Sequence, residues 1–195
     1  MNTPILPGFE RSSALNRRSP IVALSLALSI ALACTPLAAH SFNQSSLPAA
    51  VQVPAGHSVA FETPASGTID YACTANSPAA GQFNWVFVGP KANINSRSGA
   101  LAGFYFGPPA TWQHIDGSSA TGMQLAISPN GADNIPLQLV KANSKPNPGV
   151  FAQLSHIQRV ATIGGTAPKL PCAAGNVGEK QTVNYSADYI YWKTN

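Results

Sequence analysis

The chain has 195 residues, with 11 Lys or Arg against 7 Asp or Glu and a formal net charge of +4. Charged residues are 9% of it, well below the usual share of about 25%, so surface ion pairs can contribute little to the fold. The Lys and Arg residues that follow position 39 are scattered singly from Lys91 to Lys193, which argues against a nucleic-acid partner or an anionic-membrane surface, where basic residues cluster.

Arg11, Arg17 and Arg18 precede an apolar run from Ile21 to Ala33, and small residues follow at Ala38 and Ala39. That order of basic region, short apolar stretch and small-residue exit predicts a secretory signal peptide over Met1–Ala39. The run is about thirteen residues, short of the roughly 20 that span a bilayer, so no transmembrane segment is expected. Cleavage after Ala39 discards Cys34 and leaves Cys73 and Cys172, an even pair suited to an oxidising compartment. The predicted location is periplasmic or extracellular. The alternative exit is lipidation, because Cys34 closes Ala31-Leu32-Ala33-Cys34 and its retention would anchor an exported lipoprotein. The leader holds three of the basic residues, so the alkaline pI of about 9.1 is partly its property.

His40–Ala55 is small, polar or proline-rich and predicts a flexible lead-in; Gly56–Asn195 is long enough for one domain with its own core. Short apolar or alternating runs there, cut by Gly, Pro, Asn and Ser, predict about nine strands: Ser58–Glu62, Thr68–Thr74, Phe83–Val88, Leu101–Phe106, Thr111–Ile115, Met123–Ser128, Pro136–Ala142, Gln153–Val160 and Val183–Trp192. Period two is clearest in the last, where Val183, Tyr185, Ala187, Tyr189 and Tyr191 share a face. With 17 Pro and 16 Gly the chain suits turns rather than helices. The expected fold is all-β, a single β-sandwich or distorted barrel. A Cys73–Cys172 disulfide would close a loop of about 100 residues, for which the loop-entropy model gives on the order of 4–5 kcal/mol.

Chemistry-bearing residues are few. Trp112, His114 and Asp116 alternate and would project from one face of a strand, where His114 and Asp116 could form an oriented imidazole, a general base or half a metal site. Asp116-Gly117 reads equally as a hairpin turn. Arg159 interrupts an otherwise apolar strand and needs a partner. Asp70, Asp188 or backbone carbonyls could supply one, or the guanidinium could offer its planar fork to a carboxylate or sulfate ligand. Tyr185, Tyr189 and Tyr191, with Trp85 and Trp112, could form a platform for sugar rings or simply a core stripe. Gly164-Gly165 predicts a turn with positive φ.

The second half carries a family resemblance. Ile135-Pro136, Gly149-Val150-Phe151 and the run His156-Ile157-Gln158-Arg159-Val160-Ala161-Thr162-Ile163-Gly164-Gly165-Thr166-Ala167-Pro168 lead to Cys172 and Tyr185-Ser186-Ala187-Asp188-Tyr189. Tyr71-Ala72-Cys73 and Gly107-Pro108-Pro109-Ala110-Thr111-Trp112 stand upstream. From about Val53 to Tyr191 the chain resembles the family called domain of unknown function 3455, found in exported proteins of bacteria and fungi. Where that family usually has an acidic residue after the tryptophan, this chain has Gln113, so no role resting on that carboxylate carries over. The resemblance implies an exported fold and no settled activity.

These observations favour an exported, non-enzymatic binding or envelope-associated module, with a small molecule or glycan as its partner. Trp112, His114, Asp116 and Arg159 are its candidate ligand-binding residues. The alternative is a hydrolase or metal-dependent enzyme built around His114 and Asp116, although the sequence specifies no metal site and no cofactor.

Overall fold

A computed structural model describes residues 42–75, 81–146 and 148–195. The leader, Ala39 and Cys34 lie outside the described residues. Eight strands follow in chain order: β1 His57–Ala75, β2 Phe83–Asn95, β3 Leu101–Phe106, β4 Thr111–His114, β5 Ser119–Ser128, β6 Leu137–Ser144, β7 His156–Gly164 and β8 Lys180–Thr194. Each pairs antiparallel with the next, and β8 pairs with β1 to close one sheet into a ring. The result is a distorted barrel of irregular strand length.

Eight strands replace the expected nine because the first two are one. Pro64-Ala65-Ser66-Gly67, read as a breaker, runs straight through β1. Pro64 lies opposite Asp188 of β8, while pairing with β2 begins only at Ala65, so its missing N–H interrupts no β2 ladder bond. Gly89-Pro90 is likewise absorbed into β2, beside a register shift between Asp70 and Tyr71 and before the β3 pairing that starts at Lys91.

Alternation sorts the strands into two faces. In β8 the predicted stripe of Tyr185, Ala187, Tyr189 and Tyr191 points inward, and all four are buried. Ile69, Ile94, Tyr105, Trp112, Val140 and Ile157 complete the interior. Tyr105 stacks on Trp112 with ring centroids 4.6 Å apart, and Trp112 meets Tyr189 edge-on at 5.6 Å. Gly122 makes room for that indole, since a Cβ there would strike Trp112 and Val140. A tyrosine platform for sugars is therefore excluded: these rings are the core.

A second apolar cluster lies outside the ring. Val51 and Val53 pack with Leu137, Leu139, Val160, Ile190 and Trp192 on the outer wall of β6, β7 and β8. Gln158, fully buried between them, donates to the Val51 carbonyl at 2.6 Å and accepts from the Trp192 indole at 2.8 Å. The segment read as a flexible lead-in is thus docked from Phe42 onward, through apolar contacts that its small-residue composition concealed.

The Cys73–Cys172 disulfide is formed, with Cα atoms 5.6 Å apart across a separation of 99 residues. It ties the β7–β8 connection to the end of β1. Among the described residues no helix is long and apolar enough to cross a membrane.

Candidate functional site

The two ends of the ring are built differently. At one end β4 runs into the turn before β5, and the segment between β6 and β7 folds inward. Phe151, fully buried there, packs against both Phe61 and Tyr191 with centroids 5.5 and 5.0 Å away, those two rings stacking on each other at 4.3 Å, and meets His114 edge-on at 5.6 Å. Asp116 fixes this stopper. One of its oxygens accepts from the Ser118 hydroxyl at 2.6 Å and the Ser118 amide at 2.8 Å, and the other accepts from the Val150 amide at 2.9 Å. The Ser118 hydroxyl in turn accepts from the Phe151 amide at 3.1 Å.

These donors, the Ser118 hydroxyl foremost, hold the Asp116 carboxyl far below the usual carboxylate range. The His114 Nδ1 lies 3.1 Å from the Asp116 carboxylate and 3.2 Å from the Asp116 amide nitrogen. The His114–Asp116 pair predicted from the sequence is real, but its carboxylate is occupied in holding a turn. Gly117, at φ +86°, completes the hairpin that Asp116-Gly117 predicts. Among the described residues no group of three His, Cys, Asp or Glu could hold a metal ion. His57 and His156 meet edge-on at 4.7 Å without a third ligand.

Trp112, predicted at a binding face, is buried to 1% exposure, and its Nε1 has no hydrogen-bond partner among the described residues. Alternation put it on the correct strand; the sequence did not reveal which face was inside.

At the other end β1, β3, β5 and β7 finish and the even strands begin. A cavity of about 360 Å³ opens there, lined by Ile69, Tyr71, Tyr105, Ile135 and Arg159 below and by Phe87, Gln124 and Gln138 nearer the rim. Arg159 Nε and Nη2 both donate to the Pro136 carbonyl, at 3.3 and 3.0 Å. The backbone thus supplies the partner that Asp70 and Asp188 could have supplied. Asp70 is taken by Lys91 and Thr182, and Asp188 by Arg97.

Among the described residues Arg159 makes no ion pair. The phenols around it do not neutralise it either. Burial pushes the Tyr71 and Tyr105 hydroxyls up and the Tyr185 hydroxyl up to about 12, so all three stay uncharged at neutral pH. The site is a half-buried cation over an apolar floor, with the amides of Gln124 and Gln138, joined at 2.7 Å, along one side. The Tyr71 hydroxyl donates to the Gly165 carbonyl at 2.8 Å. Gly164 and Gly165 have φ of +68° and +80°, as predicted, and a Cβ on Gly165 would press on Tyr185, Ile135 and Ile69 at 2.9–3.1 Å.

The structure therefore separates the predicted residues. His114 and Asp116 bind the stopper, Trp112 is core, and Arg159 lines a cavity. Tyr71, Tyr105, Gln124 and Gln138 join it from four other strands, a convergence with no signal in local spacing.

Fold and site together define an all-β barrel with one closed end and one open, cation-bearing end. The chain belongs to the family described as protein of unknown function (DUF3455), whose match covers residues 94–193. That match contains Arg159 and the Gly164-Gly165 pair and starts further along the chain than the resemblance read from about Val53. No curated protein and no solved structure matches the chain.

Proposed function

We propose that this protein is an exported, non-enzymatic binding module that takes a small anionic ligand with an apolar body into the open end of the barrel. The observation that carries the reading is Arg159: a guanidinium with one carbonyl for a partner, facing a cavity of about 360 Å³ with aromatic and aliphatic walls. A cation in such a place is costly to leave half-dry without a counter-charge. A carboxylate or sulfonate can take the guanidinium's remaining donors, while its hydrocarbon part replaces water against Tyr105, Ile69 and Ile135. Export is supported by the leader pattern and by the long-range disulfide. The alternative enzyme at His114 and Asp116 has no such support, because both carboxylate oxygens already accept structural hydrogen bonds.

The probe of choice is 1-anilinonaphthalene-8-sulfonate, whose fluorescence rises on transfer to an apolar site. Saturable binding that weakens about tenfold or more in Arg159→Gln, with little binding of the neutral analogue N-phenyl-1-naphthylamine, is the expected result. Equal binding of both dyes, or undiminished sulfonate binding by Arg159→Gln, contradicts an anion site at this residue.

A further inference from the structure

A second concavity lies on the outer wall, away from the Arg159 cavity. Outward-facing side chains of β1 to β4 line a groove of about 440 Å³ that includes Ser66, Thr68, Asn93, Phe104, Phe106 and Gln113. Strand register sets them in a row: Ser66 is opposite Asn93, Asn93 opposite Phe104, and Phe104 opposite Gln113. Three strand spacings make that row about 14 Å long.

Phe104 and Phe106 share one face of β3 about 7 Å apart, and at 42% and 41% exposure both rings are open to the groove. Both flank Tyr105, which the barrel buries. Ser66, Thr68, Asn93 and Gln113 form no side-chain hydrogen bond among the described residues, so all four present unused donors and acceptors to the groove. The one charged residue of the lining, Lys91, already meets Asp70 at 3.2 Å.

This set of groups selects among ligand classes. A phosphate or carboxylate would require a free cation, and a metal ion would require carboxylates. An apolar partner would strip water from four polar side chains and leave them unpaired. A neutral pyranose satisfies both halves: its C–H face packs on an aromatic ring while its hydroxyls donate to and accept from amides and hydroxyls. We infer that this face is a carbohydrate-binding groove for a neutral polysaccharide chain laid across β1 to β4. It stands independently of the anion site, from which it differs in both residues and ligand class, apart from the shared wall of Tyr105.

Native affinity electrophoresis of the full chain produced in a secreting host tests this, with gels containing hydroxyethyl cellulose, galactomannan or laminarin. Slowed migration in at least one gel is expected. It should weaken about tenfold or more in the Phe104→Ala/Phe106→Ala double variant and stay unchanged in Arg159→Gln. Both phenylalanines are exposed, so a thermal melt of the double variant should match that of the parent. Asn93→Ala and Gln113→Ala, which leave the rings in place, should each weaken retardation about threefold or more. Unretarded migration in all three gels overturns the inference, as does retardation that the double variant retains.

Discussion

The closed and open ends of the barrel use the same material to opposite effect. At the closed end an aromatic residue enters the ring, and the Asp116 carboxylate accepts from a hydroxyl and two amides. At the open end a guanidinium faces a cavity, with a single carbonyl for a partner. The proposed binding reading rests on that difference in how a charged group is partnered. On the proposed reading the closed end is structural and the open end takes the ligand.

Breaking each end should therefore have different consequences. The largest expected effect is on the staple beside the open end. Cys73→Ser/Cys172→Ser should lose up to about 4–5 kcal/mol of stability by the loop-entropy model, read as a lowered denaturation midpoint. At the closed end, Phe151→Ala removes a fully buried ring from the stack with Phe61 and Tyr191. It should cost about 3–5 kcal/mol, measured by chemical denaturation. If Phe151→Ala melts like the parent, the stopper does not hold the barrel.

A smaller effect is pH dependence at the closed end. Burial foremost, then the neighbouring His57 and Lys141, lowers the His156 pKa. An unfolded histidine takes up its proton near pH 6.5, whereas the folded one resists until the pH is lower. The unfolded state then binds more protons in that interval, so stability should fall as pH drops from about 7 through 6.5 toward the folded value. His156→Asn should flatten this slope in thermal melts between about pH 7 and 5; an unaltered slope would place the titration elsewhere. The smallest expected effect is on the open end. Arg159→Gln should change stability by less than about 1 kcal/mol, because it gives up only hydrogen bonds to one carbonyl at the mouth.

How much of this was legible in the sequence follows from the range of the interactions. The β8 stripe was readable because inward and outward residues alternate for a whole strand, and Asp116-Gly117 because a two-residue turn has local chemistry. The continuity of β1 was not, since whether Pro64 breaks a strand depends on where the neighbouring β2 ladder begins. Arg159 was recognisable as a charge that needs a partner, but it faces the interior with Ile157, whereas Asp70 and Asp188 stand between inward neighbours and point outward, so Pro136 supplies the bond. The exposed pair Phe104 and Phe106 was missed for a related reason. A strand of alternating Phe, Gly and Tyr does not state which face the barrel will enclose.

The contrast between the two ends is tested most directly by following backbone amide and arginine Nε–H resonances while 1-anilinonaphthalene-8-sulfonate is added. The account predicts saturable shifts at Arg159, Tyr71, Gln124 and Gln138, with Phe151, Leu154 and Ser118 unmoved. Shifts centred on Phe151 and Ser118, with Arg159 unperturbed, would contradict it.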